Sequence, residues 1–127
     1  MKTLILALSL AVAACSSPYV LVVDPPVAST AQRVVDRHDS YVQGDSALFG
    51  SDRDDFLEES SRVEMLISLP EVSALALDAA LQPVMARHDA YVGADASLGL
   101  LQRDIYLEST ARLRALLDSV LRPVAAK

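Results

Sequence analysis

Two histidines are the side chains best suited to chemistry in this sequence, and they occur in matching surroundings. His38 lies in Arg37-His38-Asp39-Ser40-Tyr41-Val42 and His88 in Arg87-His88-Asp89-Ala90-Tyr91-Val92. Imidazole titrates near neutrality and can serve as acid, base or metal ligand. If each copy folds as a helical hairpin turning near Leu48 or Leu98, Glu58 and Ser60 fall opposite His38, and Glu108 and Thr110 opposite His88. His38, Glu58, His88 and Glu108 are therefore the candidate site, and two readings compete for it. One is a structural polar network, in which a carboxylate or hydroxyl satisfies each buried ring and fixes helix register. The other is a metal or small-ligand site on the axis between the two copies.

The residues around the histidines favour architecture. Carboxylate-bridged di-metal bundles set a Glu three positions ahead of each ligating His; Val35 and Met85 stand there instead. No metal and no cofactor is expected. Haem attachment through Cys-x-x-Cys-His is absent, and Met65 and Met85 read as core filler. Asp45 could open a calcium loop, but Ala47 and Phe49 occupy positions that need oxygen ligands. Asp52, Asp54, Asp55, Glu58 and Glu59 read as a solvated helix face. Arg37, Asp39, Arg87 and Asp89 are expected to pair among themselves and with the glutamates, and Tyr41 and Tyr91 to pack on Phe56 and Tyr106. Nucleophile motifs such as Gly-x-Ser-x-Gly and His-Glu-x-x-His are missing. A His–Glu acid/base pair would face a packed seam and not a cleft, so no enzyme is expected.

The elements that position these residues are also duplicated. Beyond the histidines, Asp45 matches Asp95, Arg53-Asp54 matches Arg103-Asp104, Leu57-Glu58 matches Leu107-Glu108, and Leu66 matches Leu116, all without a gap. Asp24-Pro25-Pro26 predicts a helix start, with Asp24 as cap and proline in the first turn. Val27, Ala31, Val34, His38 and Tyr41 form its apolar stripe, and Gln43-Gly44-Asp45 ends it. A second helix is expected from Ser51, with the stripe Phe56, Ser60, Val63 and Ile67. Ser68-Leu69-Pro70-Glu71 has capping-box form and predicts a third helix carrying Leu77, Leu81, Val84, His88 and Tyr91. Pro83 interrupts its donor ladder and predicts a kink. The fourth carries Tyr106, Thr110, Leu113, Leu117 and Val120, and is expected to stop at Arg122-Pro123. The fold class is all-α: an antiparallel four-helix bundle of two tandem helical hairpins, 25–68 and 69–123, within a bundle spanning 25–127.

The N-terminus points to a compartment. Lys2 precedes an apolar run from Leu4 to Ala14, which has secretory-signal length and is too short to span a bilayer. It ends in Val12-Ala13-Ala14-Cys15, which resembles the lipobox of bacterial lipoproteins. The resemblance implies cleavage of residues 1–14, acylation of Cys15 and a short tether over 15–24. Acyl chains anchor through about 0.8 kcal/mol per buried methylene. Cys15 is the sole cysteine, so no internal disulfide competes for it. Ser16 stands where an Asp favours inner-membrane retention in enteric lipoproteins, which implies the periplasmic face of an outer membrane where the source has one. Tyr19 to Val23 is apolar and is expected either to pack on the domain or to lie in the headgroup region, and packing on the domain is the favoured reading because an exposed apolar patch is a liability.

Charge narrows the partners. Without Lys2 the chain carries 10 basic against 17 acidic side chains. A surface this acidic is repelled by phosphate backbones, so nucleic acid is not an expected partner. The leading expectation is a membrane-anchored, non-catalytic envelope lipoprotein that acts as a helical binding or scaffolding module. Its expected partners are the lipid bilayer, through acylated Cys15, and an envelope protein. The alternative is a metal- or small-ligand-binding bundle that uses the duplicated His and Glu positions.

Overall fold

The computed structural model describes residues 19–125, with side chains through residue 121. The signal region and Cys15 lie outside the described residues. Helices α1 (Pro25–Gly44), α2 (Gly50–Ile67), α3 (Ala74–Ala94) and α4 (Leu100–Ala125) are joined by short connections, with strand β1 (Val20–Val22) ahead of the first and β2 (Glu71–Ser73) between the second and third. Short connections force successive helices to run antiparallel. Helices α1 and α3 therefore point the same way, and they pack on each other as well as on both flanking helices. The result is a four-helix bundle.

Local chemistry sets most helix ends. Asp24 accepts a hydrogen bond from the Val27 amide at 3.0 Å, and prolines fill the first turn of α1 where no donor is missed. Helix α2 begins earlier than the expected Ser51 cap. The Arg53 amide reaches the Phe49 carbonyl at 3.1 Å, so Phe49 is the cap residue and no side chain caps that end.

The expected helix start at Ser68-Leu69-Pro70-Glu71 is not what forms. Glu71–Ser73 instead pairs antiparallel with Val20–Val22, in the register Val20 with Ser73, Leu21 with Val72 and Val22 with Glu71. This ribbon satisfies backbone groups of both segments, which a capping box at Ser68 would leave unpaired in the first strand. Ser73 then caps α3 by accepting from the Ala76 amide at 3.3 Å. Leu21 and Val72 turn inward, 5% and 6% exposed, so the Tyr19–Val23 segment does pack on the domain. Helix α3 continues through Pro83, and α4 runs past Arg122-Pro123 to Ala125. A proline in the last turn costs one hydrogen bond and does not prevent the turn from closing.

The apolar stripes make one core. Ala31, Val34 and Val35 meet Val63, Ile67, Leu77, Leu81, Val84, Met85, Leu113 and Leu117, closed over by Leu21 and Val72. Met85 is buried as expected, but Met65 is 62% exposed. It sits two residues from both Val63 and Ile67, which at 3.6 residues per turn is the opposite side of α2. Burial matches at positions fifty residues apart: Val34 and Val84, His38 and His88, Val42 and Val92, Ser60 and Thr110.

Exposed large apolar side chains gather at the two ends of the bundle. Val20, Val22, Met65, Leu69 and Leu75 lie at the end closed by the ribbon; Phe49, Leu100, Leu101 and Ile105 lie at the end of the hairpin turns. A helix the length of α1 separates the ends by roughly 30 Å.

Candidate functional site

His38 and His88 lie on the buried stripes of α1 and α3, and neither is exposed at all. An imidazole so placed needs a partner at each nitrogen. The Nδ1 atoms find theirs one residue along, at Asp39 and Asp89, both at 2.9 Å. The Nε2 atoms find theirs in the other hairpin: Arg87 Nη1 lies 3.1 Å from His38, and Arg37 Nη1 lies 3.0 Å from His88. Carboxylates only accept and guanidinium groups only donate. Each ring is therefore neutral, with its proton on Nδ1 and its Nε2 lone pair facing the arginine.

The arginines lie over aromatic rings of the neighbouring helices. Arg37 stacks over Tyr106 at 3.7 Å and Arg87 over Phe56 at 3.5 Å. Glu59 accepts from Arg87 at 3.0 Å. In the second hairpin, Asp89 also accepts from Thr110 and Arg114, each at 2.8 Å.

One turn beyond the histidines the crossing is repeated with tyrosines. Tyr41 and Tyr91 stack on each other, centroids 5.3 Å apart and planes 9° apart. Each hydroxyl donates across the interface at 2.8 Å, Tyr41 to Asp95 and Tyr91 to Asp45. Those aspartates end α3 and α1, and their other oxygens accept from the Ser97 and Ala47 amides in the turns. Arg53 and Arg103 complete the layer by donating to carbonyls that terminate the preceding helices, including those of Asp45 at 2.7 Å and Asp95 at 2.8 Å. A cation there also complements the helix dipole.

The electrostatics follow from this geometry. Burial pushes both histidines below the ordinary value of 6.5; the bonded aspartates oppose that shift and the facing arginines reinforce it. Burial would raise the Asp89 carboxyl, but hydrogen bonds from His88, Arg114 and Thr110 outweigh it and hold the group below its usual range. Tyr41 is pushed up to about 12 by burial and by its bond to Asp95.

The candidate residues are thus only partly brought together. His38 and His88 are central, but Glu58 and Glu108 are exposed and do not serve them. Glu108 instead pairs along its own helix with Arg112 at 2.8 Å. The residues that do reach the buried layer are Ser60 and Thr110, two positions on, and that step turns the glutamates to the outside. The tyrosines stack on each other, and the rings of Phe56 and Tyr106 carry the arginines, two contacts that the expected pairing does not include. Sequence reasoning missed the crossed Arg–His bonds. The available signal was the arginine four residues before each tyrosine, on the same helix face.

Chemically, the layer offers no free ring nitrogen. No group of three or more His, Cys, Asp or Glu side chains among the described residues is placed to hold a metal ion. A surface groove of about 460 Å³ between α3 and α4, lined by Asp78, Gln82, Arg114 and Asp118, touches neither histidine. Among the described residues no helix is long and apolar enough to cross a membrane. Comparison of the chain with protein families, curated proteins and solved structures finds no match.

Proposed function

We propose that this protein is a lipid-anchored, non-catalytic helical module of the cell envelope that docks a protein partner through the free end of its bundle. The observation that carries the reading is a difference between the hairpins. At the start of α4, Leu100 and Leu101 are 79% and 76% exposed and Ile105 is half exposed. The positions fifty residues earlier are Gly50, Ser51 and Asp55. Neither packing nor the polar layer needs this change, since the buried positions of the two hairpins match. Exposed apolar groups gathered at one place mark interaction surfaces.

The anchor supports the same reading. Lys2, the Leu4–Ala14 run and Val12-Ala13-Ala14-Cys15 resemble a lipoprotein N-terminus, with Cys15 as the acylated residue. A chain held there would present its hairpin turns away from the bilayer, on the periplasmic face of the outer membrane in a source with two membranes. The histidine layer then serves rigidity, holding the two hairpins in one register beneath the docking end.

Site-specific photo-crosslinking in cells tests the reading. A crosslinking residue at Leu101 is expected to give a discrete adduct with an envelope protein, and the same residue at Ser51 none. No adduct at Leu101 or Ile105 in intact envelopes would contradict the docking face. Labelled fatty acid should enter the wild-type chain and not Cys15→Ala; recovery of unlabelled wild type in the soluble fraction would contradict the anchor.

A further inference from the structure

We infer that the outer face of the β1–β2 ribbon is a membrane-contact surface, which rests at the headgroup level of the bilayer that holds Cys15. The inference rests on the anchored reading above and specifies what the near end of the bundle does there. The ribbon has two faces because side chains alternate along a strand. Leu21 and Val72 take the inner face and plug the core, whereas Val20 and Val22 point outward, 41% and 62% exposed. Three more exposed apolar residues ring this end: Leu69 in the turn before β2, Leu75 in the first turn of α3 and Met65 near the end of α2. The inner face already closes the core, so burial does not account for the outward valines.

What covers them follows from the length of chain upstream. Only Ser16, Ser17 and Pro18 separate Cys15 from Tyr19. Tyr19 is itself fixed to the bundle, where its carbonyl accepts from the Ala74 amide at 2.6 Å. Four residues fully extended span at most about 14 Å, and the polar layer on each side of a bilayer is roughly 5–8 Å deep. An anchored Cys15 therefore cannot leave the ribbon far from the lipid. The surface suits an interfacial contact and not a deep one: Glu71, the cross-strand partner of Val22, shares the outer face, so the apolar side chains enter between headgroups while its carboxylate stays among the headgroups. That carboxylate and the acidic chain make zwitterionic lipid the better match than anionic lipid.

The test uses the full chain expressed with its own N-terminus, purified from membranes and reconstituted in vesicles of phosphatidylcholine brominated high on its acyl chains. The sequence contains no tryptophan, so V22W and A47W each carry a single reporter at an exposed position, one at either end. Bromine is expected to quench the indole at position 22 several-fold more than that at position 47. Replacing half the lipid with phosphatidylglycerol should reduce this difference. Weak and equal quenching at both positions in vesicle-bound, acylated protein would overturn the membrane contact and leave the anchor standing. Recovery of the chain in the soluble fraction, with no acyl mass on Cys15, would overturn the anchored reading and this inference with it.

Discussion

Arg37 in the first hairpin donates to His88 in the second at 3.0 Å, and Arg87 returns the same bond to His38 at 3.1 Å. The two contacts are related by the exchange of hairpins, as residues are across a two-fold interface between identical subunits. A stack and two hydroxyl bonds from Tyr41 and Tyr91 repeat the arrangement nearer the turns. The polar layer therefore joins the halves of the molecule.

Removing either arginine should be costly out of proportion to its partial exposure. Arg37→Ala leaves the His88 Nε2 atom buried without a donor and uncovers Tyr106, a loss of about 1–3 kcal/mol in urea unfolding. Arg87→Ala should behave alike. Arg112→Ala, which breaks only the exposed pair with Glu108, should stay within about 0.5 kcal/mol. Equal effects for Arg37 and Arg112 would show that the crossed bonds contribute nothing.

Acid should loosen the bundle in a definite window. Both histidines have folded pKa values lowered from 6.5, so the unfolded chain takes up protons first. The stability of the neutral rings is complete above about pH 6.5 and is lost as pH falls through the lower folded values. Protonation puts an N–H against Arg87 or Arg37, with Asp39, Asp89 and Glu59 as the nearby carboxylates. The urea midpoint should fall between pH 7 and pH 5. The His38→Leu/His88→Leu protein should remain helical and show a flatter dependence there; an unchanged slope would assign the acid response to other groups.

The bundle's form was legible in the sequence because its stripes are periodic and its ends carry strong punctuation at Asp24, Gly44 and Asp95. The histidine layer was legible as a place but not as a set of bonds. Hairpin geometry points to Glu58 and Glu108 because it considers one hairpin at a time, whereas the Nε2 partners of His38 and His88 come from the other hairpin and the Nδ1 partners are the next residues along. The Arg37–Tyr41 spacing places the arginine on the same helix face as the tyrosine, but it does not say that the guanidinium crosses to α3. Glu71–Ser73 was misread for a related reason: its strand character depends on Val20–Val22, far away in the chain. The capping-box pattern at Ser68 is a local signal, and a long-range pairing outweighed it.

At high pH the tyrosine pair should resist ionisation. Tyr41 is raised from 10.0 to about 12, so its ultraviolet titration should lag behind that of the unfolded chain, and Asp95→Asn should bring it down. The unfolded phenol ionises first, so the bundle should lose stability as pH climbs from about 10 to about 12. Titration of Tyr41 at its ordinary value would place the ring in water.

The two faces of the ribbon should respond differently to polar substitution. Leu21→Ser removes a buried plug and should cost about 2–4 kcal/mol, with helices retained but a lower unfolding midpoint. Val22→Ser on the outer face should stay within about 0.5 kcal/mol in solution. A large loss at Val22 would mean that its side chain serves the fold.

The most direct measurement is the tautomer of the two imidazoles, read at neutral pH from two-bond proton–nitrogen correlations of the ring nitrogens in the labelled protein. Donation from Arg87 and Arg37 requires both rings to be neutral with the proton on Nδ1. A ring protonated at Nε2, or an imidazolium at neutral pH, would contradict the crossed layer that joins the two hairpins.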